Sequence, residues 1–264
     1  MKKYFEGKTA LITGASSGIG RETALRLASD GARVALCARS GKKLEEIRKL
    51  IAERGGKADH YAMDVRDRKN VFEAMRDAWE RLGGLDILVA NAGVGYIGPI
   101  ETMPESEILR VLETNLVGTV NCVQAAIPLM RKQGSGTIVL VSSVLGRRAV
   151  PYYAVYSASK FAVCGLAEAL RLETRDYGIK VILVCPTSTD TDFFKNAGGS
   201  VTARKKPLGP FVMSPEKAAE EIVKAIRRGK REAVLSVPAG LFDKAGRLFP
   251  RLTDLLILKY FGKQ

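Results

Sequence analysis

The chain has 264 residues, 46% hydrophobic and 27% charged, which is the composition of a folded protein with a sizeable core. Its net charge of +14 raises nucleic acid as a partner, but Lys and Arg are spread beside Asp and Glu without helix-turn-helix or zinc-finger spacing, so we expect no nucleic-acid partner. No apolar run approaches the ~20 residues that span a bilayer and the start lacks a signal-peptide stretch, so we expect a cytoplasmic protein.

Six short apolar runs predict strands buried on both faces. They are Thr9–Thr13, Val34–Ala38, Leu85–Ala90, Thr137–Ser142, Val181–Cys185 and Ala233–Val237. Stretches of helical period lie between them, at Lys42–Arg54, Lys69–Leu82, Glu105–Lys132, Ala154–Tyr177 and Ser214–Arg228. This alternation predicts an α/β fold, a doubly wound parallel sheet of Rossmann type with helices on both faces, as a single domain over residues 1–264.

A glycine-rich turn, TGASSGIG at 13–20, follows the first predicted strand and precedes a helix. Glycine lets a ligand approach the backbone closely, and the free N–H groups of a helix start attract phosphate. Glycine-rich turns also occur for purely steric reasons. We predict a dinucleotide pyrophosphate site formed by Gly14, Ser16, Ser17, Gly18, Ile19 and Gly20.

The second predicted strand ends in VALCARS, without the carboxylate that usually binds the ribose 2′-hydroxyl of NAD. Arg39 and Ser40 instead offer a guanidinium and a hydroxyl, which suit a 2′-phosphate. We therefore expect NADP(H) to be favoured over NAD(H). The alternative is that Arg39 is a solvated residue after a strand.

The four cysteines, Cys37, Cys122, Cys164 and Cys185, lie in apolar runs without C-x-x-C spacing. Small buried hydrophobic residues are the simpler interpretation than a disulfide or a set of metal ligands. We predict no metal site.

The stretch YSASK places Tyr156 and Lys160 four residues apart, on one face of a helix. Such a pair arises by chance about once in a chain this basic, and Tyr4 and Lys8 form a second one. The spacing alone does not identify a catalytic pair.

Six motifs in order make the chain resemble the short-chain dehydrogenase/reductase family over nearly its whole length. They are TGASSGIG at 13–20, DV at 64–65, NAG at 91–93, Asn115 in TNLVG, Ser143 in IVLVSS and YSASK at 156–160. The resemblance implies that Asp64 and Val65 flank the adenine, that the Asn91, Ala92 and Gly93 turn lines the cofactor, and that Asn115 holds a proton-relay water. It also implies that Ser143, thirteen residues before Tyr156, is the catalytic serine rather than Ser142, whose side chain should point to the other face.

The resemblance gives the Tyr-Lys pair a mechanism. An ammonium near Tyr156 stabilises its phenolate, so we expect the pKa of Tyr156 to lie below the ordinary value of ~10. Lys160 would supply this charge and bind the nicotinamide ribose. In reduction, a hydride passes to a carbonyl carbon while Tyr156 protonates the oxygen and Ser143 orients it. Tyr4 and Lys8 precede the first strand and are expected to be structural.

The chain departs from the family after the sixth strand, where it reads CPTSTDTDFF. Thr187 replaces the usual glycine and Thr189 an aliphatic residue, while Pro186 and Thr191 keep their places. We expect Pro186, Thr189 and Thr191 to contact the nicotinamide. The substitutions either change the pocket floor or are tolerated variation.

Residues 186–213 form a long irregular segment that we predict to be a substrate loop, since loops of this length are usually functional. The predicted pocket liners are apolar or aromatic, namely Tyr96, Leu145, Tyr152, Tyr153, Phe193, Phe194 and Phe211, although several could be ordinary core residues. A lipophilic, steroid-like or acyl-chain ketone or alcohol would suit them better than a sugar.

Residues 238–264 form a basic tail with apolar residues at helical spacing on either side of Pro250: Leu241, Ala245, Leu248, Leu252, Leu255 and Leu256. Such a segment could lie on an acidic membrane surface, cap the substrate cleft or pack across a dimer interface. Because amphipathic tails mostly cover core, packing within the protein or its oligomer is the preferred interpretation.

The leading functional hypothesis is an NADP-dependent carbonyl reductase or alcohol dehydrogenase acting on a small molecule. A non-catalytic NADP-binding regulator and a membrane-peripheral protein are the alternatives, since function resides in the site and not in the fold. The resemblance also implies a homodimer or homotetramer formed through the long helices at 105–132 and 154–177.

Overall fold

The computed structural model describes residues 3–191, 193, 197–199 and 212–261. Its strands are β1 (Thr9–Thr13), β2 (Arg33–Ala38), β3 (Lys57–Ala62), β4 (Ile87–Ala90), β5 (Tyr96–Ile97), β6 (Gly136–Val141), β7 (Ile179–Cys185), β8 (Gly198–Gly199) and β9 (Glu232–Val234). Its helices are α1 (Gly18–Ser29), α2 (Gly41–Glu53), α3 (Arg68–Leu82), α4 (Glu105–Leu112), α5 (Gly118–Gln133), α6 (Ala154–Glu173), α7 (Pro215–Arg228), α8 (Val237–Leu248) and α9 (Pro250–Phe261).

The main sheet has seven parallel strands in the order β3-β2-β1-β4-β6-β7-β9. The order reverses between β1 and β4, and in such sheets the cleft outside the carboxyl ends of the strands at this reversal is where ligands bind. The prediction of a doubly wound parallel α/β fold is confirmed.

The core lies in two layers, one on each face of the sheet, because successive strand residues point to opposite faces. Leu11 and Leu88 belong to one layer, and their neighbours Ile12 and Val89 belong to the other; all four are completely buried. Both layers are covered by helices, which explains why the central strands are hydrophobic throughout.

The edge strand β3 is absent from the sequence prediction. Its sequence KADHYA has no apolar run, and none of its six side chains is fully buried. It pairs with β2 through the backbone along its whole length, from Arg33 opposite Lys57 to Ala38 opposite Ala62. An edge strand pairs with only one neighbouring strand and is less buried than a central strand. Its side chains therefore do not form the apolar run from which the other strands were predicted.

The predicted helix Glu105–Lys132 is in fact divided. A π-helical turn, Glu113–Val117, separates α4 from α5. Such turns are rare and are found mostly at functional sites. The turn contains Asn115.

Within the residues described above, no helix is long and apolar enough to span a bilayer, and no cluster of His, Cys, Asp and Glu could hold a metal ion. All four cysteines are buried and free.

Candidate active site

A cleft of about 690 Å³ opens at the carboxyl ends of the central strands. Almost all of the predicted site residues line it; the exceptions are Gly20 and Asn115, which lie behind its wall. The lining includes Gly14, Ser16, Ser17, Gly18, Ile19, Arg39, Ser40, Asp64, Val65, Asn91, Ala92, Gly93, Ser143, Tyr156, Lys160, Pro186, Thr189 and Thr191.

The glycine turn packs against its neighbours without space for side chains. A Cβ at Gly20 would lie 2.3 Å from the Gly14 carbonyl oxygen, so glycine is required there by the turn itself. Gly18 has a φ of +53° and faces the cleft, where its Cβ would meet Thr191 at 2.9 Å. Local sterics therefore account for both glycines, and Gly18 is in addition part of the lining of the cleft.

The second loop of the site is tied to the glycine turn by Thr13, which precedes it. The Thr13 hydroxyl accepts hydrogen bonds from the backbone N–H groups of Asn91 and Ala92, at 3.0 and 3.1 Å. The Asn91 amide in turn donates to the Thr13 carbonyl oxygen at 3.0 Å. These bonds hold the two loops together as one wall of the cleft.

The far end of the cleft is positively charged. Arg39 is exposed there, and Ser40 caps α2 by accepting a hydrogen bond from the Lys43 N–H. Lys43 also lines the cleft and was missed by the sequence analysis, because a lysine in the first turn of a basic helix resembles a solvated one. Asp64 is paired with Arg66 at 2.7 Å, and the hydrogen bond from Arg66 lowers the pKa of its carboxyl group.

Three predicted catalytic side chains meet at the other end of the cleft. The Ser143 hydroxyl lies at the cleft with Tyr156 and accepts a hydrogen bond from the Leu145 N–H at 3.1 Å, while the hydroxyl of Ser142 faces away and donates to the Lys160 carbonyl oxygen at 2.8 Å. Lys160 is only 4% exposed, and its Nζ donates to the Val141 carbonyl oxygen at 3.0 Å. This Nζ lies 5.9 Å from the centroid of the Tyr156 ring.

The expectation of a lowered pKa for Tyr156 is wrong for this structure. Burial raises the pKa of Tyr156 to about 12, and the hydrogen bond with Ser143 offsets only part of the increase. Burial also lowers the pKa of Lys160 to about 8. The sequence gives the spacing of the pair but not the desolvation of both groups, and desolvation dominates here.

Asn115 supports the site from behind. Its side chain is completely buried, accepts from the Val94 N–H at 2.8 Å, and donates to the Val94 carbonyl at 2.9 Å and the Ser159 hydroxyl at 2.9 Å. Ser159 precedes Lys160 on α6. Asn115 therefore joins α6 to the loop after the Asn91 turn.

Beyond β7, two hydroxyl groups lie at the cleft without a partner. Thr187 Oγ1 and Ser188 Oγ are buried, and neither has a hydrogen-bond partner within the described part of the chain. Buried polar groups are costly unless they are paired, so these hydroxyls mark a polar part of the cleft that a ligand would satisfy. Thr187 stands where the family usually has glycine.

The predicted substrate liners divide into three groups. Leu145, Tyr153 and Phe193 line the cleft, and the Phe193 ring lies 5.4 Å from that of Tyr156. Tyr152 packs beside them outside the cleft wall, and Tyr96 is buried in the short strand β5. Phe194 and Phe211, and most of the predicted loop at 186–213, lie outside the described residues.

Two consecutive arginines after the Ser143 turn were also missed by the sequence analysis. Arg147 is 12% exposed and forms ion pairs with Glu232 at 3.0 Å and with Asp243 of α8 at 3.2 Å. Arg148 forms an ion pair with Asp254 of α9. The turn that carries Ser143 is thus connected to the C-terminal helices.

The comparisons with known proteins agree with this geometry. A family model described as short chain dehydrogenase matches residues 8–200. Human 17-beta-hydroxysteroid dehydrogenase type 1 is 35% identical over 245 residues, covering 83% of this chain and 74% of that protein. Glycine betaine reductase ATRR of Emericella nidulans is 39% identical over 235 residues, covering 88% of this chain but only 18% of that much longer protein.

Solved structures with the same fold contain either cofactor. A short chain dehydrogenase from Mycobacterium paratuberculosis bound to NAD has a TM-score of 0.79 and 29% identity, and covers 87% of this chain and 96% of its own. An alcohol dehydrogenase from the archaeon Thermococcus sibiricus complexed with 5-hydroxy-NADP has a TM-score of 0.77 and 31% identity, covering 86% and 95%.

Replacing Arg147 by Met should destabilise the protein by about 3 kcal/mol, because the buried Asp243 carboxylate loses the guanidinium with which it forms an ion pair. The free energy of unfolding in urea measures this effect. The double variant Arg147→Met/Asp243→Asn should recover part of the loss. Arg175→Met, at an exposed position, is the control and should change the free energy by less than ~0.5 kcal/mol. Equal losses in the two single arginine variants would contradict the ion-pair interpretation.

Proposed function

The chain belongs to the short-chain dehydrogenase/reductase family of oxidoreductases, and from that premise we propose that it interconverts a carbonyl and a secondary alcohol with NADP(H). The observation that carries the proposal is that Ser143, Tyr156 and Lys160 meet at one end of a cleft whose other end is basic. The roles of individual residues below are part of this proposal.

A nicotinamide dinucleotide fits the cleft in size and chemistry. The volume of about 690 Å³ is in the range of ligand sites, ~300–1,000 Å³. The glycine turn lines the cleft at the start of α1, where free N–H groups suit the pyrophosphate, and the unpaired hydroxyls of Thr187 and Ser188 suit the carboxamide or the substrate. When bound, the nicotinamide supplies or accepts a hydride.

NADP(H) is favoured over NAD(H) by charge. Arg39 and Lys43 line the end of the cleft opposite the catalytic residues, and the nearby carboxylate of Asp64 is already neutralised by Arg66. Two cations and no free carboxylate attract a 2′-phosphate.

The proton chemistry follows from burial. With a pKa of about 12, Tyr156 keeps its proton at neutral pH and can donate it to a carbonyl oxygen that gains charge. Ser143 lies beside Tyr156 at the same end of the cleft and orients the same oxygen. The Lys160 ammonium stabilises the phenolate that Tyr156 leaves behind. The protonated Tyr156 is therefore the form that serves reduction, and the reverse oxidation uses its phenolate.

The substrate is proposed to be lipophilic. Leu145, Tyr153 and Phe193 give the cleft an apolar wall next to the hydroxyl of Tyr156. The name of one relative, a 17-beta-hydroxysteroid dehydrogenase, describes a substrate of this kind for that protein. We extend this class to the present chain as steroid-like or acyl-chain ketones.

We also propose that the protein is cytoplasmic and forms a homodimer or homotetramer through its long helices. Large apolar side chains are exposed on these helices, including Leu109 on α4 and Phe161 and Leu172 on α6. Burial of such side chains between copies would favour association.

Tyr156→Phe should lower the kcat for NADPH-dependent reduction of a lipophilic ketone by at least ~100-fold, because the proton donor is lost. The affinity for NADPH should change by less than about threefold, which fluorescence titration measures. Tyr4→Phe is the matched control, since Tyr4 belongs to the other Tyr-x-x-x-Lys pair and is exposed. Full turnover by Tyr156→Phe would refute the proposed role, and NADPH binding without turnover in the native protein would favour a regulator.

The rate of reduction should fall as the pH rises through about 8. Burial lowers the pKa of Lys160 from 10.5 to about 8, so the charge that stabilises the Tyr156 phenolate is lost above this pH. Tyr156 itself stays protonated throughout. The pH profile of kcat from 6.5 to 9.5 tests this, with Lys160→Met as a slow control without the decline. A decline that persists in Lys160→Met would show that another group titrates.

Arg39→Asp should weaken NADPH binding by at least tenfold, or roughly 1.4 kcal/mol, because a carboxylate repels the 2′-phosphate. NADH binding should be unchanged or stronger. Equilibrium titration of both cofactors measures the ratio, with Arg228→Asp on the exposed end of α7 as the control. A native protein that binds NADH more tightly than NADPH would overturn the proposed preference.

A further inference from the structure

The C-terminal helices α8 and α9 present an apolar face to solvent. The sequence analysis favoured packing of these residues within the protein or its oligomer, but they are exposed in the described structure. Leu248 is 73% exposed and Leu255 is 64% exposed, whereas Thr253 and Ile257 on α9 point inward and are buried. The outward face, here called the tail face, comprises Leu241, Leu248, Phe249, Leu252, Leu255 and Leu258.

Basic side chains share the tail face. Lys244 lies on the same stripe of α8 as Leu241 and Leu248, three or four residues away. Arg251 and Lys259 flank Leu255 on the outer side of α9 in the same way. All three basic residues are exposed, and none has an acidic partner within 4 Å among the described residues.

The acidic side chains of the tail are both paired with arginines of the body of the protein. Residues 237–264 contain Asp243 and Asp254; Asp243 is buried against Arg147, whereas Asp254 is 61% exposed and pairs with Arg148. These ion pairs offset the negative charge of the tail. The side chains of the tail face that have no ion-pair partner among the described residues are therefore apolar or basic.

From this combination we propose that the tail face binds an anionic lipid surface, with α8 and α9 lying in the plane of the interface. Basic and apolar residues on one face are what such a surface recognises. A helix of 12 residues is ~18 Å long, too short to cross the ~30 Å hydrocarbon layer. The helices thus lie on the bilayer and do not span it.

A second copy of the chain is the competing occupant, and charge disfavours it. In a two-fold interface the same face meets itself, so Lys244, Arg251 and Lys259 would approach their own copies. Both acidic side chains of the tail, Asp243 and Asp254, are already paired with arginines and would compensate little. Phosphate headgroups of anionic lipids provide the opposite charge.

The full-length protein can be tested by co-sedimentation with vesicles of phosphatidylcholine alone and of phosphatidylcholine with about 30% phosphatidylserine. We expect at least tenfold tighter binding to the anionic vesicles, weakened by salt. The variant Leu252→Ser/Leu255→Ser/Leu258→Ser should lose binding at least tenfold. The variant Lys244→Glu/Arg251→Glu/Lys259→Glu should lose the preference for anionic lipid.

The controls are Ile100→Ser, at an exposed isoleucine outside the tail and the long helices, and Lys230→Glu, at an exposed lysine outside the tail. Both should bind vesicles like the native protein, and NADPH binding shows that every variant is folded.

Native protein that stays in the supernatant with both vesicles overturns the proposal. So does a leucine variant that still binds but sediments as a smaller oligomer, because the face then serves a second copy. Because this experiment does not measure enzymatic turnover, a negative result would not bear on the proposed oxidoreductase function.

Discussion

The attachment of α6 to the end of β6 is the contact on which the site depends. The Lys160 ammonium is held by the carbonyl of Val141, and the carbonyl of Lys160 is held by the hydroxyl of Ser142. Gly146 makes this contact close, since a Cβ there would lie 2.6 Å from the Lys160 carbonyl oxygen. Because Tyr156 lies one helical turn before Lys160, fixing the lysine also fixes the phenol next to Ser143.

This attachment buries groups that would be more stable in water. An ammonium and a phenol without solvent are both driven toward their neutral forms, which is the origin of the pKa values of about 8 and about 12. The protein tolerates this cost because hydrogen bonds donated by Asn115 and Ser142, and one accepted by the Val141 carbonyl oxygen, hold the helix in place. Burial therefore sets the protonation state of Tyr156 at neutral pH, whereas the spacing of Tyr156 and Lys160 only makes the proton transfer possible.

The sequence predicts those structural features that follow from local patterns of residues. The parallel sheet follows from apolar runs, and most of the cleft lining follows from motifs in a known order. It does not predict β3, whose residues are half-exposed and partly polar, or the π-helical turn, which looks like continuous helix. The sequence also does not predict the ion pairs of Arg147 and Arg148, because their partners lie about a hundred residues away along the chain. The pKa of Tyr156 was mispredicted because desolvation depends on packing that no pattern shows.

The long separation within the Arg147 pair has a consequence for synthesis. The glycine turn, the Tyr156 helix and all eight described strands before β9 are made before Glu232 and Asp243 exist. Until then the guanidinium beside the Ser143 turn has neither carboxylate partner. Because domains generally fold as units, the surroundings of Ser143 are therefore completed only after β9 and α8 have been made.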